Sequence, residues 1–527
     1  MTHIEREVEK MKRTTLGIIS VILAAAMLLT VSSCTTKPTD AGSSDSKISG
    51  GTFGDDIFAS DTGKSGEDSA SSGADDESDG SDASDASTVP NSDGTSMTSS
   101  AGTSQGGTSS STNSGTQPIE NEDNIDLKGR NIKIGLTDWE GEKSFQTEMG
   151  RYLYTRILDI QKLYNCKITI VKIDDYNSVW AAITSGSPPV DMMFGGGPHF
   201  LATYFKSKML QPLDGMDLDF NDKKFDPLVT TALTYQNKHY GLNSKPQGLD
   251  KIGLQWVMLY NKKIVKEDLY SIQAKGEWTW AKFKELATKY NKADHSVWGV
   301  ADNQFQLYSA LVSSNNADWI SYSNGQYKFA AGSTNAMEAL QFYKGLADAK
   351  ILKITNDGET FTDNKDFRNG KIAFIVDYVL RLYTPSYYQG MSDDYGILYL
   401  PKGPKASSYI SPNPWFNFLC IPVGVKNPKE VAAVMNAYLD PLIPAQDEED
   451  AFTLQCESIA RDQQSLDLLK SLPSKKVIAK FHYVGQFLQW GVWYTQLQKV
   501  LNGTLTPQNA IDENTTNYNN MIADQFN

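Results

Sequence analysis

An α/β architecture spread over more than one domain follows from three features of the sequence. Apolar runs with strand alternation recur between runs with helical spacing, 527 residues exceed what one core usually holds, and 11% aromatic residues supply the mass to fill several. Four cysteines are too few for a disulfide scaffold.

The N-terminus reads as an export signal: Lys12 and Arg13 precede a weakly polar run over 16–31, followed by Ser32, Ser33 and Cys34, with Met1 or Met11 as the start. The run is shorter than the roughly 20 residues that span a bilayer, so a cleaved signal over 1–33 is expected rather than a permanent helix. Residues 34–127 are dominated by Ser, Gly, Asp, Thr and Ala, a composition that cannot offset the entropy of ordering, and read as a disordered tether. Fourteen acids against three lysines make 35–119 net −11, so most of the formal charge of −14 lies there. The near-neutral remainder has no broad positive field for phosphates, and a nucleic-acid partner is not expected.

Order begins near Asn131. Residues 132–136 alternate as a strand, 148–164 have helical spacing and 167–171 form a second strand, which implies a parallel pair with a right-handed crossover. Helix over 180–184, a short buried strand over 190–194 and helix over 198–208 continue the series. A second series follows Pro246: strand 256–260, helix 279–290 with Thr279 as N-cap, strand 296–300, helix 336–349, and strands 372–376 and 395–400. The pattern then returns to strand 418–425 and helix 428–438, and the last third is mostly helical, including an aromatic-rich stretch over 481–500. Cys420 reads as a buried strand residue, and Cys166, Cys420 and Cys456 have no ligand spacing.

Several stretches carry a resemblance. Val31-Ser32-Ser33-Cys34 resembles a bacterial lipobox, which implies a diacylglyceryl group on Cys34 and an anchor on the outer face of the cell membrane. Pro189 to Gly197 followed by Leu210-Gln211-Pro212-Leu213-Asp214 resembles the "PD-hydrophobic-glycine … L-x-PLD" signature of family 1 extracellular solute-binding proteins of ABC transporters. Leu259 to Lys262, Trp278 to Phe283, Phe367 to Phe374, Ile421 to Pro428 and Leu501 to Ala510 match in the same order. The resemblance implies a type II periplasmic-binding-protein-like fold, with lobe 1 over 128–245 and 405–443 and lobe 2 over 246–404 and 444–527. It further implies a ligand cleft between the lobes and delivery of the ligand to permease subunits in the membrane. The 195–197 loop lacks the Asp or Arg that sugar binders of the family often carry after this strand.

In open α/β sheets ligands bind beyond the carboxyl ends of strands, so the strand tips hold the candidate contacts. These are Asp138 and Trp139; Gly195, Gly196, Gly197 and His199; Gln255 and Trp256; Asp302, Asn303 and Phe305; Asp377 and Tyr378; and Trp415, Phe416 and Asn417. Rings beside carboxylates and amides suit a carbohydrate, with its apolar C–H face and its hydroxyls, and an oligosaccharide is the expected ligand. The triple glycine reads either as close backbone approach to a ligand or as a bare turn. Trp180, Trp278 and Trp280 read as core, as does Trp256 on its strand; Trp490 and Trp493 share one helix face and also read as packing. The five histidines form no paired ligand spacing and no GxSxG elbow is present, so neither a metal, a cofactor nor catalysis is expected. A peptide, a polyamine or a metal complex remains an alternative solute, a surface-anchored glycosidase an alternative activity, and a monomer is expected.

Overall fold

The computed structural model describes residues 119, 121, 124–137, 139–303, 305–355, 362–483 and 492–526. The predicted signal over 1–33, Cys34, nearly all of the tether, Asp138 and Trp490 lie outside the described residues. Among the described residues no helix is long and apolar enough to cross a membrane.

Two sheets organise the fold; their strands are numbered here. They are β1 (Asn131–Leu136), β2 (Lys167–Lys172), β3 (Met192–Phe194), β4 (Trp256–Asn261), β5 (Trp298–Asn303), β6 (Leu352–Thr355), β7 (Ile372–Tyr378), β8 (Tyr395–Leu398) and β9 (Leu419–Cys420). The first sheet has the order β9-β3-β1-β2 and the second β6-β5-β7-β4-β8. β1 runs parallel to β2, with Ile132 opposite Ile168, as the strand–helix–strand pattern implies. β9 joins β3 antiparallel, Leu419 opposite Phe194. In the second sheet β6, β5, β7 and β8 run one way, while β4 runs antiparallel to β7 and β8. Every residue of β4 and β7 is buried, as expected of central strands covered on both faces.

Most sequence-predicted elements are present, with shifted ends. Helix Trp280–Tyr290 is capped by Thr279, whose side chain accepts from Lys282 N. The predicted strand 190–194 shrinks to Met192–Phe194, and the helix expected from 198 opens with a 3-10 turn, Pro198–Phe200, before Leu201–Lys206. The strand expected over 418–425 is only Leu419–Cys420: Pro422 has no N–H for a ladder and Gly424 sits at φ +91°. Cys420 is fully buried on its strand, and Cys166, Cys420 and Cys456 are free thiols.

Among the described residues the chain passes between the two sheets three times. Leu242 bridges to Leu419 beside the first sheet, and by Trp256 the chain is in the second. Ser411 donates from Oγ to the carbonyl of Trp256, and by Leu419 the chain is back in the first. Helix Pro428–Tyr438 packs on helix Glu148–Leu163, after which Ala445–Ile459 covers the second sheet's side, where Tyr395 Oη donates to Ile459 O. The first and third passages are fastened together. The Gln247 carboxamide accepts from Leu442 N (2.8 Å) and Ile443 N (3.0 Å) and donates to Ile443 O (2.8 Å), and Ser244 Oγ donates to Leu439 O.

Candidate functional site

The tip of β3 gathers a group of rings in which Tyr176, Trp180, His199 and Phe200 are half-buried and Trp415 and His482 buried. After Phe194 the backbone is held to the returning strand by Gly195 N, which donates to Phe418 O (2.8 Å), and it then turns through the three glycines into Pro198–Phe200. Helix Tyr176–Thr184 stands alongside, capped by Asp175, and Tyr176 Oη donates to Phe194 O (2.9 Å). Tyr176 and Trp180 lie 4.8 and 5.0 Å from the Phe200 ring. His199 lies 4.9 Å from Trp415, and Trp415 lies 5.2 Å from His482. The Trp415 indole is oriented by Asn417, whose Oδ1 accepts from Nε1 (3.3 Å).

The glycines exist because rings occupy the space of their side chains. A Cβ on Gly195 would lie 2.2 Å from Phe418, on Gly196 2.6 Å from Phe200, and on Gly197 2.1 Å from Trp415. Only Gly196, at φ +73°, also needs left-handed backbone freedom. The turn reading fits Gly196, while at Gly195 and Gly197 the packing of Phe418 and Trp415, distant in sequence, sets a requirement that neither sequence reading named. His199 Nδ1 is buried without a hydrogen-bond partner, and burial pushes the imidazole down to about 3.

A second group joins Gln255, Trp256, Asp377 and Tyr378. Val379 N donates to Gln255 O, Gln255 Nε2 donates to Lys251 O (2.9 Å), and the rings of Trp256 and Tyr378 stand 5.9 Å apart. Asp377 is fully buried, and its oxygens are taken by Arg381 (2.7 Å), Tyr388 Oη (2.5 Å) and Asn364 Nδ2 (2.5 Å). The Arg381 guanidinium is also stacked between Tyr378 and Tyr387. In a third group Asp302 accepts from Leu307 N (2.8 Å) and Tyr343 Oη (2.7 Å), and burial pushes its carboxyl up to about 7. Phe305, at φ +61°, packs against Tyr343 and Tyr494, while Asn303 Nδ2 reaches Asp363 Oδ1 (3.4 Å). Gln306 Nε2 donates to Val376 O and ties this group to the second.

The structure thus brings Gly195, Gly196, Gly197, His199, Trp415 and Asn417 into one cluster, with Phe416 beside it against Phe418 and Tyr483. Trp139 stands apart, 8% exposed in the outer core of the first lobe against Phe145. Sequence reasoning missed Tyr176, Phe200 and His482 as members of the ring cluster. It also missed Asp250, on the first passage between the sheets, whose carboxyl desolvation pushes up to about 7. The signal available for Asp250 was Gly248 two residues earlier, which adopts φ +54°.

A family model described as bacterial extracellular solute-binding protein matches residues 156–441, more than half of the chain. The chain belongs to that family of solute-binding proteins. No curated protein matches the sequence. Among solved structures it is similar to the GacH receptor of Streptomyces glaucescens GLA.O, determined unliganded and with acarbose and an acarbose homologue: 17% identity over 75% of this chain and 99% of the receptor, TM-score 0.49. It is also similar to an ABC substrate-binding protein of Listeria monocytogenes in complex with cycloalternan, at 16% identity over 75% and 99% of the two chains, TM-score 0.48.

Proposed function

We propose that the chain is a lipid-anchored, extracytoplasmic solute-binding protein of an ABC importer that captures a carbohydrate between its lobes and passes it to membrane permease subunits without covalent chemistry. The observation that carries the sugar reading is the cluster of half-buried Tyr176, Trp180, His199 and Phe200 with the buried Trp415, at the carboxyl end of the first sheet where the passage from the second sheet returns. Ring faces offer a pyranose apolar contact, and the orphaned His199 Nδ1 and the Asn417 amide offer hydrogen bonds. Contacts on both lobes favour closure by the difference between the affinities of the closed and open states.

The test is a thermal-shift panel of oligosaccharides, peptides, polyamines and metal ions. A cognate oligosaccharide at 100 times its dissociation constant stabilises by about 2.7 kcal/mol. Trp415→Ala abolishes that shift while the unliganded protein keeps its far-ultraviolet circular dichroism. A panel in which only peptides or cations raise the midpoint removes the carbohydrate assignment. The anchor is checked separately: Cys34→Ala releases the protein from membranes with solute binding intact, and a mutant retained on membranes refutes lipidation at this cysteine.

A further inference from the structure

The two lobes touch at a place remote in sequence from all three passages between them. Helix Thr515–Phe526 lies along the hairpin strand Gln326–Phe329: Tyr518 packs on Phe329 (4.8 Å), and Phe329 N donates to Asn519 Oδ1 (2.9 Å). That hairpin follows Trp319, which packs on Tyr308 in the helix after β5, so the helix is built onto the second lobe. Its far end reaches the first lobe. Tyr235, on a short hairpin of that lobe, donates from Oη to the carbonyl of Phe526 and stacks on Phe205 (4.5 Å, 8°) in the helix that follows β3. The Phe526 ring sits 4.2 Å from Tyr327 of the second lobe and 6.3 Å from Phe205 of the first.

Two polar ties flank this aromatic junction. Gln236 N donates to Tyr322 Oη (3.1 Å), again from first lobe to second. Lys476 forms a 2.6 Å ion pair with Asp226, with side-chain exposures of only 11% and 4%. An interface with a ring core, a backbone carbonyl captured by a phenol and a nearly dry ion pair has the makeup of a packed contact rather than a passing one.

We infer that helix Thr515–Phe526 is a strap that fastens the two lobes in the arrangement seen here, so that the unliganded protein rests in one interlobe geometry. Three chain passages alone act as a hinge and leave the angle between lobes free to vary; a fourth, non-covalent attachment away from the hinge narrows it until ligand contacts favour closure. Such a strap biases the population from which ligand binding proceeds.

The test is the distribution of distances between spin labels at Lys162→Cys and Gln341→Cys, exposed positions on helices of the first and second lobes, in the full chain carrying Cys34→Ala. Cys166, Cys420 and Cys456 are buried and do not compete for label. The parent gives a narrow distribution without ligand. Phe526→Ala broadens it and shifts its mean by several ångströms. Tyr235→Phe removes only the hydroxyl, keeps the ring stack and broadens it to a lesser degree, and it decides the matter alone should Phe526→Ala fail to fold. Folded variants with distributions superimposable on the parent overturn the inference.

Discussion

His199 is a histidine kept neutral by its surroundings. Its ring lies 3.8 Å from Phe200 and 4.9 Å from Trp415, and its Nδ1 has no partner. Tyr176, Tyr204, His482 and the Lys480–Asp318 ion pair stand on the adjoining elements, together with Asp175 and Lys206. The folded imidazole titrates at about 3, against about 6.5 in an unfolded chain. Below about pH 6.5 the unfolded state takes up a proton that the folded state refuses, so this contribution is complete above that pH and is lost as pH falls toward 3. In His199→Gln, stability from urea denaturation should therefore decline less steeply between pH 6.5 and 4 than in the parent. Parallel pH profiles would show that the imidazole is hydrated in the native state. The tryptophans were legible at this scale: Trp278 and Trp280 are buried and donate from Nε1 to Tyr399 O and Ser314 Oγ, as their apolar periodicity required. The three glycines were legible as special, but the rings that demand Gly195 and Gly197 come from Phe418 and Trp415, more than two hundred residues away along the chain.

At the scale of elements, helix Glu148–Leu163 shows how one polar residue joins two parts of a lobe. Arg156 is fully buried; its Nη1 donates to the carbonyls of Ala437 (3.0 Å) and Asp440 (3.2 Å), and its Nη2 to that of Pro441 (3.1 Å). It thereby gathers the end of helix Pro428–Tyr438 just before the third passage to the other lobe. A lysine ammonium is a single point and cannot span those three acceptors, so Arg156→Lys should cost about 2–4 kcal/mol. Urea denaturation measures it, and a loss below about 1 kcal/mol would mean that water replaces the guanidinium. Elements with a strong period were readable, including β1, β2, β7 and helix Trp280–Tyr290. Helix Gln306–Ser314 was not, because eight of its residues from Leu307 to Ser314 are buried and no polar face marks a 3.6-residue period. Strand β6, four residues long, was too short to declare itself.

For the whole molecule, two sheets with three passages between them were foreshadowed by the two strand–helix series and by the return to a strand after Pro412. What local patterns could not supply is which tip residues remain available to a solute. Asp302 and Asp377 have the same local look, a carboxylate at the end of an apolar run. Only the fold reveals Tyr343 against the first and Arg381, Tyr388 and Asn364 against the second.

The edge position of β9 bears on how the molecule is made. A nascent chain shorter than 419 residues presents β3 with an unpaired rim and leaves the apolar bed that Val431 and Met435 later cover open to water. The amino-terminal body thus cannot be finished before about two thirds of its neighbour has been synthesised. Neither body is a contiguous stretch that one cut could liberate, and maturation must proceed with both halves half-built at once.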